Sequence, residues 1–370
     1  MKIKISPNIS SIQPYPPGKP LEELEREYGI KNAVKLASNE NPWGPSPKAV
    51  RAIRAELRNL HRYPDASCHS LVTALAEKMG LDPEEIVLGN GSNEVIDFLV
   101  KAFVTEGDEV ITSYPSFLMY QKFVQARGGI NYIVPLKNMK HDLAVIRETV
   151  SEKTRLIFLD NPNNPTGTAI APVDLYRFLS DLPESLIVVL DEAYIDFMDK
   201  QFRVDFYSLI RNAEGRCPVV FLRTLSKVYG LAGLRIGFGM MAREIAACLH
   251  KVRQPFNINQ MAQVGALAAL ADEEHYQNTV LRTGKGMEFL QSEVARLGCR
   301  PYPSHANFFL IDVGGRADAL YDAMLMKGVI VRSMSAYGFQ NLIRINVGTD
   351  EENGRFIKSL AECLTELHYV

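Results

Sequence analysis

Lys227 lies in Arg223-Thr224-Leu225-Ser226-Lys227-Val228-Tyr229-Gly230-Leu231-Ala232-Gly233-Leu234-Arg235-Ile236-Gly237, a run of mostly small and apolar residues behind a strand-like segment. A lysine in such surroundings is partly desolvated, which suits an amine that must shed its proton to attack a carbonyl carbon. Arg235 follows eight residues later and offers a guanidinium fork to an anion. Three other segments carry chemistry of a matching kind. Leu88-Gly89-Asn90-Gly91-Ser92-Asn93-Glu94 reads as a strand end, a Gly-rich turn and a helix start, whose free N–H groups make an anion site. The third glycine of a dinucleotide fingerprint would fall at Glu94, so that pattern is incomplete. Asn161-Pro162-Asn163-Asn164-Pro165-Thr166-Gly167 forces a rigid polar loop after Asp160, at the carboxyl end of a strand, where open α/β sheets place their ligands. Leu190-Asp191-Glu192-Ala193-Tyr194 sets a carboxylate and a phenol at the end of another apolar strand.

These groups match, by type, a ligand bearing a phosphate, a pyridine nitrogen, a phenolic oxygen and an aldehyde, which is pyridoxal 5'-phosphate. Ser92, Ser226 and Arg235 would take the phosphate. Asp191 would keep the ring nitrogen protonated, and Asn164 and Tyr194 would serve the phenolic oxygen. The aldehyde needs an amine, Lys227, which is then placed to act as the base at the substrate's Cα.

The elements that must position these residues are legible as short apolar runs alternating with amphipathic stretches. Glu109–Thr112, Tyr132–Val134, Leu156–Leu159, Ile187–Leu190 and Val219–Leu222 read as buried strands, with helical patterns such as Val95–Val104 and Pro172–Leu182 between them. That alternation predicts an α/β fold with a mostly parallel central sheet. Beyond about residue 255, helical patterns over Gln260–Ala271 and Val280–Leu297 and strands at Phe308–Ile311 and Ile343–Val347 suggest a smaller α/β unit. The proline-rich start, with Pro14, Pro16, Pro17 and Pro20, reads as an extended arm.

Composition excludes several function classes. The chain of 370 residues is 46% hydrophobic and 23% charged with a net charge of −2, so no nucleic-acid footprint is expected. No apolar run is long enough to span a bilayer, and the N-terminus lacks the apolar core of a secretory signal. Cys68, Cys217, Cys248, Cys299 and Cys363 are scattered without metal-ligand spacing, so a reduced cytoplasmic protein without a metal is expected. His61, His69 and His305 read as structural or exposed.

The four segments above are similar to those of fold type I aminotransferases, and the likeness runs nearly end to end. Tyr15-Pro16-Pro17-Gly18-Lys19-Pro20, Leu36-Ala37-Ser38-Asn39-Glu40-Asn41-Pro42-Trp43-Gly44-Pro45-Ser46-Pro47, Arg62-Tyr63-Pro64-Asp65 and Val252-Arg253-Gln254-Pro255-Phe256-Asn257 resemble the histidinol-phosphate aminotransferase family specifically. So do Ser304-His305-Ala306-Asn307-Phe308, Gly328-Val329-Ile330-Val331-Arg332 and Ile343-Arg344-Ile345-Asn346-Val347-Gly348-Thr349. The resemblance implies a fold type I pyridoxal-phosphate-dependent transferase, a large domain plus a smaller α/β domain. The expected divisions are 1–40 (arm and part of the small domain), 41–260 (large domain) and 261–370 (small domain). It implies that Phe117 stacks on the pyridine face and that Tyr63 reaches the cofactor phosphate of a neighbouring subunit, so a homodimer shares its active sites. Arg344 would bind the substrate's anionic group with Arg332 beside it, Tyr15 would close over it from the partner, and Asn39 would also face substrate. Asn93 stands where many relatives carry aspartate, and Phe117 where some carry tyrosine; backbone N–H groups and a ring face suffice at those places. The implied substrates are L-histidinol phosphate and glutamate or 2-oxoglutarate. An aromatic or broad-specificity aminotransferase and a threonine-phosphate decarboxylase are the rivals on this scaffold, and the Asn39-Glu40-Asn41 and Gly230-Leu231-Ala232-Gly233 runs favour the transaminase over the decarboxylase. A cofactor-binding regulator would need a DNA-binding unit that the first ~30 residues cannot form.

Overall fold

The computed structural model describes residues 3–14, 26–27, 29–211 and 216–369. Strand β1 (Val34–Lys35) leads into a large sheet of seven strands. These are β2 (Ile86–Gly89), β3 (Glu109–Tyr114), β4 (Ile130–Pro135), β5 (Thr154–Asp160), β6 (Ile187–Asp191), β7 (Val219–Thr224) and β8 (Gly237–Met240). Their spatial order is β2-β8-β7-β6-β5-β3-β4. β8 runs antiparallel to both neighbours, and the other six strands share one direction.

Both faces of this sheet are covered, so its central strands are apolar throughout rather than alternating. Leu156, Phe158, Val189, Val220 and Leu222 pack on one side with the helix Ser92–Phe103. Ile157, Leu159, Val188, Leu190 and Phe221 pack on the other, against the helices His69–Met79, Pro172–Ser180 and Gln260–Leu270. One sequence expectation needs correction here, and one strand carried no signal. Tyr132–Val134 does belong to a strand, but β4 is the sheet edge, and Tyr132 and Ile133 are exposed while Val134 alone of the three is buried. An apolar run cannot reveal that a strand has a neighbour on one side only. β8 carries two glycines and no β-branched residue, so no strand signal marked it.

The remaining strands are β9 (Arg300–Pro301), β10 (Phe308–Asp312), β11 (Val329–Ile330), β12 (Arg332–Ser333) and β13 (Leu342–Asn346). β12-β13-β10-β9 form an antiparallel sheet, and β11 pairs in parallel with β1. Phe309, Ile311, Ile343 and Ile345 of that sheet share a core with Phe356 and Leu360 of the helix Asp350–Glu366 and Leu290 of the helix Glu273–Arg296. Thr349 caps the last helix through a reciprocal pair with Glu352. Near the N-terminus a single turn, Pro7–Ser10, lies on the helix Met119–Arg127. Pro14 follows without regular structure, and Tyr15, Pro16, Pro17 and Pro20 lie outside the described residues. No described helix is long and apolar enough to cross a membrane. All five cysteines are free.

Candidate active site

Asp160, Asp191 and Thr224 end three successive parallel strands, β5, β6 and β7. Their side chains line a cavity of about 420 Å³ at the carboxyl edge of the sheet. This is where parallel strands leave a crevice for ligands. Lys227 enters from the loop between β7 and β8, with Nζ donating to the Ser38 carbonyl at 3.4 Å and lying 5.6 Å from the centroid of the Tyr194 ring. Burial, and then the positive charge of Arg344, lower its pKa to about 8. The charges of Glu40 and Asp191 oppose that shift without cancelling it. A substantial fraction of this amine is therefore neutral near pH 8.

Asp191 is the buried acid of the cavity. Its Oδ2 accepts from the Tyr120 hydroxyl at 2.8 Å and its Oδ1 from the Ala193 N–H at 3.1 Å. Burial raises its pKa to about 7, helped by the negative charge of Asp160 and opposed by the Tyr120 hydrogen bond. Tyr120 is itself fully enclosed, stacked on Phe158 at 4.7 Å, and the Phe117 ring meets it edge-on at 5.4 Å.

Tyr194 is oriented from two sides. Asn39 Nδ2 donates to its hydroxyl at 2.9 Å and Asn164 Nδ2 at 3.4 Å. With two N–H donors on its oxygen, the phenol keeps its own O–H to offer. Burial raises its pKa to about 12, so it stays protonated. Arg344 joins this group by donating to Asn164 Oδ1 and, at 3.0 Å, to the Ala37 carbonyl. Asn164 is fixed in turn because its N–H donates to Asp160 Oδ2 at 2.8 Å.

The opposite end of the cavity is built for an anion. The helix Ser92–Phe103 begins after Gly91, whose φ of +81° puts it in the left-handed region. A Cβ on Gly91 would stand 2.6 Å from Arg235 Nη2, so only glycine lets the guanidinium close on this helix start. A Cβ on Gly237 would meet the Ser92 nitrogen at 2.3 Å, which holds β8 against the same turn. Glu94 accepts from the Asn90 N–H at 2.7 Å and from Asn257, tying the turn down. Ser226, with Oγ accepting from Thr224 Oγ1 at 3.0 Å, completes the wall. Asn93 Oδ1 is buried with no hydrogen-bond partner among the described residues. An amine with depressed pKa, a buried carboxylate, a phenol and an anion cradle thus converge, and they fit a phosphorylated pyridine aldehyde group by group. Lys227, Asp191, Tyr194 with Asn164, Phe117, and Ser92, Asn93, Ser226 and Arg235 are the residues that could hold it.

Other expected residues stand apart. Arg332 is directly across from Arg344 in the β12–β13 register. Tyr63 is 83% exposed and stacks on Phe256 at 4.8 Å, away from this cavity. Asn39 is buried beneath Tyr194 rather than lining the cavity. Tyr15 is outside the described residues. Sequence reasoning missed Tyr120 and the buried His141–Asp160 pair, in which Nε2 and Oδ1 are 3.3 Å apart. Tyr120 lies three residues beyond Phe117 on one stretch of chain, a spacing that could have flagged it; nothing in the sequence joins His141 to Asp160.

Comparison with known proteins supplies relatives of known type. Residues 31–360 match the profile of the family described as aminotransferase class I and II. The chain is 62% identical over 370 residues to a histidinol-phosphate aminotransferase of Desulfotalea psychrophila, covering 100% of this chain and 98% of the relative. It is 42% identical over 356 residues to one from Moorella thermoacetica, covering 96% and 92%. In three dimensions it is similar to a crystallised histidinol-phosphate aminotransferase of Sinorhizobium meliloti in complex with pyridoxal-5'-phosphate. That likeness has a TM-score of 0.91 at 30% identity and covers 99% of both chains.

Proposed function

Because the chain belongs to the aminotransferase class I and II family, we propose that it transfers an amino group between L-histidinol phosphate and 2-oxoglutarate. The products are imidazole acetol phosphate and L-glutamate, and the reaction serves histidine biosynthesis. One observation carries the reading: the Lys227 amine, lowered to about pKa 8, shares a cavity with Asp191 and an anion cradle.

Pyridoxal 5'-phosphate supplies an electron sink for charge at the substrate Cα and carries the amino group from one substrate to the other. The protein's share is positioning and proton transfer. Arg235, Ser226 and the helix start at Ser92 and Asn93 grip the phosphate. Asp191 would present an ionised carboxylate to a protonated ring nitrogen, and the Tyr120 hydroxyl fixes that carboxylate and helps to keep it ionised. Phe117 supports the ring face, and Tyr194 and Asn164 serve the phenolic oxygen. Lys227 takes the proton from Cα and returns one on the other side of the transfer. Arg344 and Arg332 stand opposite each other in the register of β12 and β13. A guanidinium pair accepts both the phosphate of one substrate and a carboxylate of the other.

Partner and boundary assignments extend this reading. Leu57, Leu60, Tyr63 and Phe256 are all exposed. A homodimer that covers them would bring Tyr63, and Tyr15, to the neighbouring subunit's cavity. The expected division at 260 shifts: 41–260 with the helix Gln260–Leu270, which packs on the same sheet, make the cofactor-binding part. The strand Val34–Lys35 with the chain from Glu273 onward makes the smaller one, and the enzyme works in the cytoplasm.

The test is a single-turnover spectrum of the cofactor-loaded protein with L-histidinol phosphate and no keto acid. Rapid loss of the bound cofactor's visible absorbance, restored by 2-oxoglutarate, is the expected result. Bleaching by phenylalanine but not by histidinol phosphate would overturn the substrate assignment.

A further inference from the structure

Glu40 is a carboxylate on the wall of the active-site cavity that the mechanism does not use. The other two acidic groups there are already engaged: Asp191 by Tyr120 and Ala193 and in its role toward the ring nitrogen, Asp160 by Ser116, Asn163, the Asn164 N–H and His141. Glu40 pairs with Lys35 at 3.4 Å, and its side chain keeps half its surface open. It also lines a second cavity of about 480 Å³, which adjoins the first across Glu40, Ser226, Ala232 and Gly233. Glu40 thus stands at the border of the two spaces.

The backbone that carries it is fixed rather than loose. Asn39 has a positive φ of 54°, and its N–H donates to Asn346 Oδ1 at 3.0 Å. Its carbonyl accepts from Asn307 at 3.2 Å, and its side chain donates to Tyr194. Asn41 Nδ2 donates to the Val228 carbonyl at 2.9 Å, one residue past Lys227, and Lys227 itself reaches the Ser38 carbonyl. The turn 38–41 is therefore bolted to the phenol on one side and to the lysine loop on the other.

Within the proposed function, on which this inference rests, the donor substrate has three polar parts. Its phosphate suits Arg344 and its amine is delivered to the Lys227 end. Its imidazole carries an N–H that needs an acceptor. We propose that Glu40 is the specificity-determining acceptor for that ring N–H, selecting an imidazole over a phenyl side chain. A phenyl ring offers this carboxylate no donor, so the contact that favours the imidazole is missing and the preference is lost to that extent.

The experiment compares half-reactions of the cofactor-loaded protein with L-histidinol phosphate, L-glutamate and L-phenylalanine. Glu40→Ala should raise KM for histidinol phosphate at least ~10-fold with kcat little changed, as expected for loss of a charged hydrogen bond. KM for glutamate should stay or fall, and the preference for histidinol phosphate over phenylalanine should shrink. Glu40→Gln keeps an acceptor oxygen and should fall between. Lys35→Met keeps the carboxylate and should retain the preference. Calorimetric binding of histidinol phosphate to Lys227→Ala and to the double variant with Glu40→Ala reads the same loss with turnover blocked. An equal change for all three substrates, or the same loss from Lys35→Met, would overturn the proposal and leave Glu40 as half of a surface ion pair. A wild-type protein that bleaches with glutamate but not with histidinol phosphate would bring down the proposed function itself, and this assignment with it.

Discussion

Two of the site's residues have pKa values displaced toward the middle of the pH range, and each displacement has a measurable sign. Lys227, at about 8 instead of near 10.5, is largely neutral well below the pH at which an exposed lysine would be. The rate at which the cofactor-free protein takes up pyridoxal 5'-phosphate should therefore climb through about pH 8 and level off above it; a profile still rising toward pH 10 would contradict the depressed value. Lys227→Ala should lower turnover by about 10²–10⁴-fold from loss of the proton carrier alone, with the fold intact by circular dichroism. Asp191 is shifted the other way, to about 7, so between pH ~4 and 7 the folded protein holds a proton that the unfolded chain releases. Stability of the cofactor-free protein then declines as pH rises through that window. Asp191→Asn removes the burden: its melting temperature should exceed wild type at pH 8 and converge with it toward pH 4, while turnover falls. Equal melting curves at pH 8 would count against a buried, hard-to-ionise acid.

Single elements bring these residues together, and the anion cradle depends on how one helix begins. Gly91→Ala adds a Cβ to a left-handed residue and into the Arg235 guanidinium. Cofactor affinity should drop at least several-fold, read from the phosphate-dependent binding isotherm, while pyridoxal without phosphate should bind about as before. Much of this level was legible in advance. The apolar runs of β5, β6 and β7 and the polar residues ending them announced a parallel sheet with chemistry at one edge. β8 was silent because its glycines answer to close neighbours rather than to strand propensity, Gly237 lying against Ser92 and Gly239 against Met241 and Val95. β4 was read as buried because hydrophobicity reports composition, not the number of neighbours. Tyr120 was passed over because its partner, Asp191, is distant in sequence and only the packing of a helix on the sheet joins them.

At the scale of the whole molecule, the long helix Glu273–Arg296 touches the site indirectly. Tyr276 donates to Asp196 Oδ1 at 2.9 Å, two residues beyond Tyr194, and its ring lies 5.4 Å from that of Tyr229, two residues beyond Lys227. Tyr276→Phe would leave a half-buried carboxylate short of a donor, and about 1 kcal/mol of stability should be lost in denaturant titration. The exposed Tyr63 speaks to assembly. If it serves a neighbour's cavity, heterodimers of Lys227→Ala and Tyr63→Phe chains contain one site with both defects and one with neither. Verified heterodimers should then turn over faster than the mean of the two parent homodimers at limiting cofactor, and failure to do so would place Tyr63 in its own subunit's business only.

Thr224 and Gly237, which open and close the loop bearing Lys227 and Arg235, stand opposite each other in adjacent strands, and just inside them the Leu225 N–H donates to the Ile236 carbonyl at 3.1 Å. The loop is thus a closed ring of backbone with both ends clamped. Most surface loops absorb an inserted residue at little cost. This one has no slack to give, because an extra residue would displace the amine relative to the guanidinium, and one ligand must meet both. Length variation among functional descendants of this chain should consequently be tolerated at the tips of other connections and purged here, a pattern that random insertion followed by selection for growth without histidine would expose.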